Sequence, residues 1–162
     1  MTKEARSTNE RRGRSEKVYD LEERTAKFGE AIVRFAKRIP VTPATEPLIS
    51  QLVRAGTSVG ANYCEADDAG TRKEFRYRIS VCKRESRETK HWLRMIAAAV
   101  PTHADESRLH WREAKELHLI FAAIYRGKSS CGQTRVKCMM RTNEILAKVS
   151  SFELRHSLDI RH

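Results

Sequence analysis

A chain of 162 residues with 32 Lys and Arg against 21 Asp and Glu carries a net charge of +11, which points toward an anionic partner or surface and says nothing about fold. The length suits one domain with a real core. The opening Met1-Thr2-Lys3-Glu4 has no apolar secretory core, and the longest apolar run, Leu119 to Tyr125, is far too short to span a bilayer, so a cytoplasmic protein with reduced cysteines is expected.

Residues 1–17 are polar, charged and without apolar periodicity, and read as a flexible basic arm. The first helix begins at Asp20, whose carboxylate can cap it, with Glu23 three residues on. Phe28, Ile32, Phe35 and Ile39 then form one buried stripe, and Pro40 stops the helix. After a loop over 41–46, Pro47 suits the first turn of helix two. There Leu48, Leu52, Val59, Tyr63 and Ala66 carry an apolar face. Gly56 and Gly60, four apart with Ser58, Ala61 and Asn62 around them, form a row with almost no side chain, open to close approach by another helix. Asn62 reads as a buried hydrogen-bonding residue beside that row.

Gly70 can close helix two in the left-handed conformation, and Thr71 with Glu74 has capping-box spacing. Helix three follows with a seam of Phe75, Ile79, Cys82, Ser86, Thr89, Leu93 and Ile96, alternating by four and three. Such a seam favours shallow, nearly antiparallel packing. Pro101 ends it. Helix four, from about Asp105 to Gly127, buries Ala114, Leu117, Phe121 and Ile124. Helices near 20–38, 46–69, 72–100 and 105–126 with short loops predict an all-α, up-down-up-down four-helix bundle over 18–126. The tail, 127–162, reads as mobile, with a weak basic helix available over 136–149.

Catalytic signals are sparse. A carboxylate di-metal bundle needs two Glu-x-x-His motifs, and only Glu88-Thr89-Lys90-His91 is present. His110 and His118 are eight apart, too far for one metal, and read as partly exposed. Cys131 and Cys138 lack zinc-site spacing, while Cys64 and Cys82 read as small core residues. No phosphate loop or nucleophile elbow occurs. A non-enzymatic protein without cofactor or metal is expected.

The stronger signal is charge. Arg72, Arg76, Lys83, Arg87, Lys90 and Arg94 are spaced 4, 7, 4, 3 and 4 apart and share one side of helix three, about 33 Å long. That length is similar to one turn of duplex nucleic acid. Glu74–Arg78 and Glu88–Arg84 can pair within the helix, off the stripe. The stripe therefore reads as a phosphate-binding face for RNA or DNA with weak sequence preference. The competing reading is a solvated face, or one bridged to Glu65, Asp67 and Asp68 of a neighbouring helix or subunit. Tyr63, Tyr77, Val81, Trp92 and Trp111 supply apolar area beyond these seams and suggest oligomerisation.

Several blocks carry a resemblance: Asp20-Leu21-Glu22-Glu23-Arg24-Thr25, Leu52 to Tyr63 with Glu65-Ala66, Lys73-Glu74-Phe75, Glu85, Glu88-Thr89, Trp92-Leu93, Glu113-Ala114 and Glu116-Leu117. In this order the chain resembles the four-helix-bundle proteins encoded by intervening sequences of 23S ribosomal RNA genes, together with the related accessory variability determinant of diversity-generating retroelements. Gly56-Thr57-Ser58-Val59-Gly60-Ala61-Asn62 is the specific part. His91, where the family has an aromatic, and the long tail depart from the pattern. The resemblance implies a basic homopentameric ring, in most members without an assigned biochemical activity. For the retroelement branch it implies binding of nucleic acid and of a reverse transcriptase. Two classes of function follow: a nucleic-acid-binding oligomer, or an assembly subunit whose ring binds a protein partner such as a reverse transcriptase.

Overall fold

The computed structural model describes residues 20–127; the basic arm, the tail, its weak helix, Cys131 and Cys138 lie outside the described residues. Four α-helices run Leu21–Ala36 (α1), Glu46–Asp67 (α2), Arg72–Ala99 (α3) and Ala104–Arg126 (α4), with one 3₁₀ turn at Pro101–His103 before the last.

Local chemistry sets each boundary. Asp20 caps α1 by accepting the Glu23 amide at 3.0 Å. The helix ends at Ala36, two residues before the expected limit. Arg38 and Ile39 donate instead to the carbonyls of Phe35 and Ala36, tightening the last turn so that Ile39 still reaches the core. Buried Thr45 holds the following loop: its hydroxyl donates to the Pro40 carbonyl at 2.6 Å and accepts from the Thr42 amide at 2.8 Å. Pro47 sits in the first turn of α2.

The turn from α2 to α3 differs from expectation. No described glycine has positive φ, so Gly70 is not a left-handed cap. The amides of Asp68 and Ala69 close α2 by donating to Cys64 and Ala66. Thr71 then caps α3, accepting from the Glu74 amide at 3.2 Å.

Successive helices are antiparallel neighbours. Gly29 lies against Thr57, Gly56 against Ile32 and Gly60 against Thr25, which aligns α1 and α2. Arg78 on α3 reaches Asn62 and Glu65 on α2, while His118 on α4 meets Lys83 on α3. Arg24 closes α1 onto α4 with a bidentate bond to Glu113, 2.7 and 2.9 Å, and a further bond to Glu116. Arg38 pairs with Glu106 at the other end. The result is the up-down-up-down bundle.

Its core joins Phe28, Ile32 and Phe35 with Leu52, Val59, Ile79, Leu93, Ile96, Leu117 and Phe121. Ser86 and Thr89 are fully buried in the α3 seam. Each satisfies its hydroxyl on the preceding turn, donating to the Cys82 and Glu85 carbonyls at 2.7 and 2.8 Å.

Two expectations change. Cys64 is exposed rather than in the core, whereas Cys82 is buried. Burial pushes the Cys82 thiol up to about 12. Val81 is buried within the subunit, and Tyr63, Trp92 and Trp111 pack against the same core. Of the five residues read as surplus apolar area, only Tyr77 is exposed, at 61%, because the other four lie in or against the core.

Candidate nucleic-acid interface

The two long sides of α3 meet opposite chemistries. Toward α2 the charges of α3 find opposite partners. Arg78 pairs with Glu65, and Glu88 accepts from Arg54 at 2.8 Å. Arg84 turns to its neighbour Glu85 at 3.3 Å. The pairs expected within the helix, Glu74–Arg78 and Glu88–Arg84, are thus replaced, since the antiparallel α2 offers nearer partners. Glu85 is 4% exposed, an unforeseen buried carboxylate, and Arg54 stands 3.8 Å from its second oxygen.

Toward α4 the cations meet aromatic rings. Trp111, Lys115, His118, Ala122 and Tyr125 recur along α4 at spacings of 4, 3, 4 and 3, which places them in one row. The Arg76 guanidinium carbon lies 5.2 Å and the Lys83 ammonium 4.6 Å from the Tyr125 ring centroid. Lys90 and Lys115 approach the Trp111 ring at 5.0 and 6.0 Å. Such contacts are cation–π interactions, modest at exposed sites. His118 anchors the row through its Nδ1, 3.0 Å from the Lys83 carbonyl oxygen.

Among the described residues, Arg76, Lys83, Arg87, Lys90 and Arg94 have no ion-pair partner. Lys90 has its pKa lowered, first by desolvation and then by the charges of Lys115 and Arg87. A compact positive field therefore runs along the α3–α4 face. Arg76, Arg87 and Arg94 are exposed, while Lys83 and Lys90 are half-buried. Arg72, also exposed, opens the helix at the α2 turn.

Sequence reading found this cation stripe but missed its aromatic floor, although the 4-3-4-3 row from Trp111 to Tyr125 was legible. The remaining singled-out residues belong to helix packing. A Cβ on Gly56 would stand 2.8 Å from Ile32 Cγ2, and one on Gly60 would stand 3.4 Å from the Thr25 carbonyl oxygen. Half-buried Asn62 donates to the Ser58 carbonyl at 2.9 Å and accepts from Arg78 at 3.4 Å. A cavity of about 490 Å³ between α1 and α2 is lined largely by small residues, among them Ala26, Gly29, Gly60 and Ala61. His91 is exposed beside Trp92, and no group of three metal-ligating side chains occurs among the described residues.

Residues 17–123 match the family described as 23S rRNA-intervening sequence protein. A crystal structure of a protein of unknown function from the S23 ribosomal protein family of Bacteroides thetaiotaomicron VPI-5482 shares the fold. It superposes with a TM-score of 0.58 at 23% identity, over 65% of this chain and 98% of that one. No curated protein matches the sequence.

Proposed function

This chain belongs to the 23S rRNA-intervening sequence protein family, and we propose that it is a non-enzymatic, basic homo-oligomer that binds nucleic acid through phosphate contacts along the α3–α4 face. The observation supporting this is the asymmetry of α3. Its α2 side is compensated by Glu65, while its α4 side holds five cations without a carboxylate partner among the described residues. Phosphates supply the missing anions, and their binding releases counterions. Side chains of this kind read charge rather than base identity, so RNA and DNA are both ligands, with weak sequence preference. The reading assigns no cofactor and no catalytic step. No described helix is long and apolar enough to cross a membrane, and the proposed site of action is the cytoplasm.

Replacing Arg76, Lys83, Arg87 and Arg94 together with Gln keeps helix propensity nearly unchanged. Affinity for RNA and DNA should fall steeply, and the slope of log K against log salt should flatten by about 0.7–0.9 for each phosphate that is no longer neutralised. A folded quadruple variant that binds as the parent does would overturn the proposal and favour a ring that docks a protein, such as a reverse transcriptase.

A further inference from the structure

Tyr125 and Trp111 each carry two cations against their rings, and those cations are otherwise unpaired, apart from any contact outside the described residues. Both rings are half-buried with one side against the core. A cation on such a ring is held by a modest interaction, whereas a charge-assisted bond to a phosphate oxygen is among the strong hydrogen bonds. A strand that offers phosphates therefore draws Arg76 and Lys83 off Tyr125, and Lys90 and Lys115 off Trp111. Each transfer bares a flat aromatic face. In a duplex the bases are already stacked on one another, so nothing refills that face. In a single strand, a base from the same chain can stack there, as in binding sites that join aromatic platforms to a cationic groove.

From this we infer that the α3–α4 face takes single-stranded nucleic acid, with Tyr125 and Trp111 as base-stacking platforms whose cationic covers pass to the phosphates. The inference rests on the phosphate reading above and adds the class of strand. The platforms are 14 residues apart on one helix, about 21 Å, a distance covered by at most about six nucleotides at the 3.4 Å strand spacing. His118, fixed to the Lys83 carbonyl, lies between them.

The test compares three polyanions on the full chain: a 12-nucleotide single strand, the same sequence as a duplex, and long-chain inorganic polyphosphate, which has no bases. Tyr125→Leu and Trp111→Leu should each weaken single-strand binding about tenfold and leave polyphosphate binding unchanged. Tyr125→Phe, which preserves the ring and its packing, should bind as the parent does, and Trp111→Phe, which keeps a smaller aromatic face, should bind more tightly than Trp111→Leu. The protein has two tryptophans, so in a Trp92→Phe background Trp111 is the sole tryptophan and can be excited apart from the tyrosines. The single strand should quench it and polyphosphate should not, a readout that needs neither Leu variant to fold. Equal quenching by both polymers, equal affinity for single strand and duplex, or Leu variants that affect both polymers alike would overturn the stacking inference while leaving the phosphate reading intact. A parent protein that binds none of the three polyanions would overturn both.

Discussion

His110 lies half-buried with its ring 5.0 Å from that of Phe35, while Nε2 has no hydrogen-bond partner in the described structure and stands 3.8 Å from Glu106. Burial lowers its pKa from 6.5; Glu106 opposes the shift and Arg38 adds to it. His103, whose ring also lies near Phe35, completes the ionisable surroundings. Since the unfolded chain takes up the proton first, the stabilising contribution of neutral His110 is full above about pH 6.5. It is lost as pH falls through that value toward the lower folded one. The melting temperature should therefore drop between pH 8 and 5 more for the parent than for His110→Gln. Parallel curves for the two proteins would show that His110 does not contribute to the pH dependence.

At the scale of elements, the pairing of α1 with α2 depends on unequal glycines. The 2.8 Å approach of a Gly56 Cβ to Ile32 requires that core side chain to move, an overpacking cost of about 1–3 kcal/mol. The gain in helix propensity of about 1 kcal/mol offsets only part of it. At Gly60 the neighbouring carbonyl needs to give by only a few tenths of an ångström, so the propensity gain dominates. Gly56→Ala should consequently melt below Gly60→Ala, with Gly60→Ala close to the parent or above it. Reversed order in a denaturation series would mean that Ile32 relaxes without penalty. The same row explains why this pair of helices can approach so closely along Gly29, Gly56 and Gly60.

For the whole molecule, most of the apolar surface that could drive assembly is used within the subunit: Val81 is buried, and Tyr63, Trp92 and Trp111 lean on the core. Tyr77, Leu109 and Val41 remain exposed. The proposed ring predicts a mass in solution of five times 18.7 kDa. Light scattering on dilute protein checks this directly, and the monomer mass would remove the ring from the proposal. A ring would repeat the cationic face in each subunit, raising affinity through multivalency without any new kind of contact.

The apolar periodicities at Phe28 to Ile39, Leu48 to Ala66, Phe75 to Ile96 and Ala114 to Ile124, with the capping residues Asp20 and Thr71 and the short loops between them, determined four helices and their antiparallel order from sequence alone. These signals are local, set by a period of 3.6 residues and by chain stops. The cation stripe was equally legible, because spacing along one helix fixes which side chains share a face. What those cations meet is a matter of which helix stands beside them, and only the tertiary structure decides that. It turned Arg78 and Glu88 away from their own helix toward α2, left Cys64 outside the core, and set Arg76, Lys83 and Lys90 over rings from α4. Pairing energies between charges depend on separations of a few ångströms across elements, and helical periodicity carries no information about those distances.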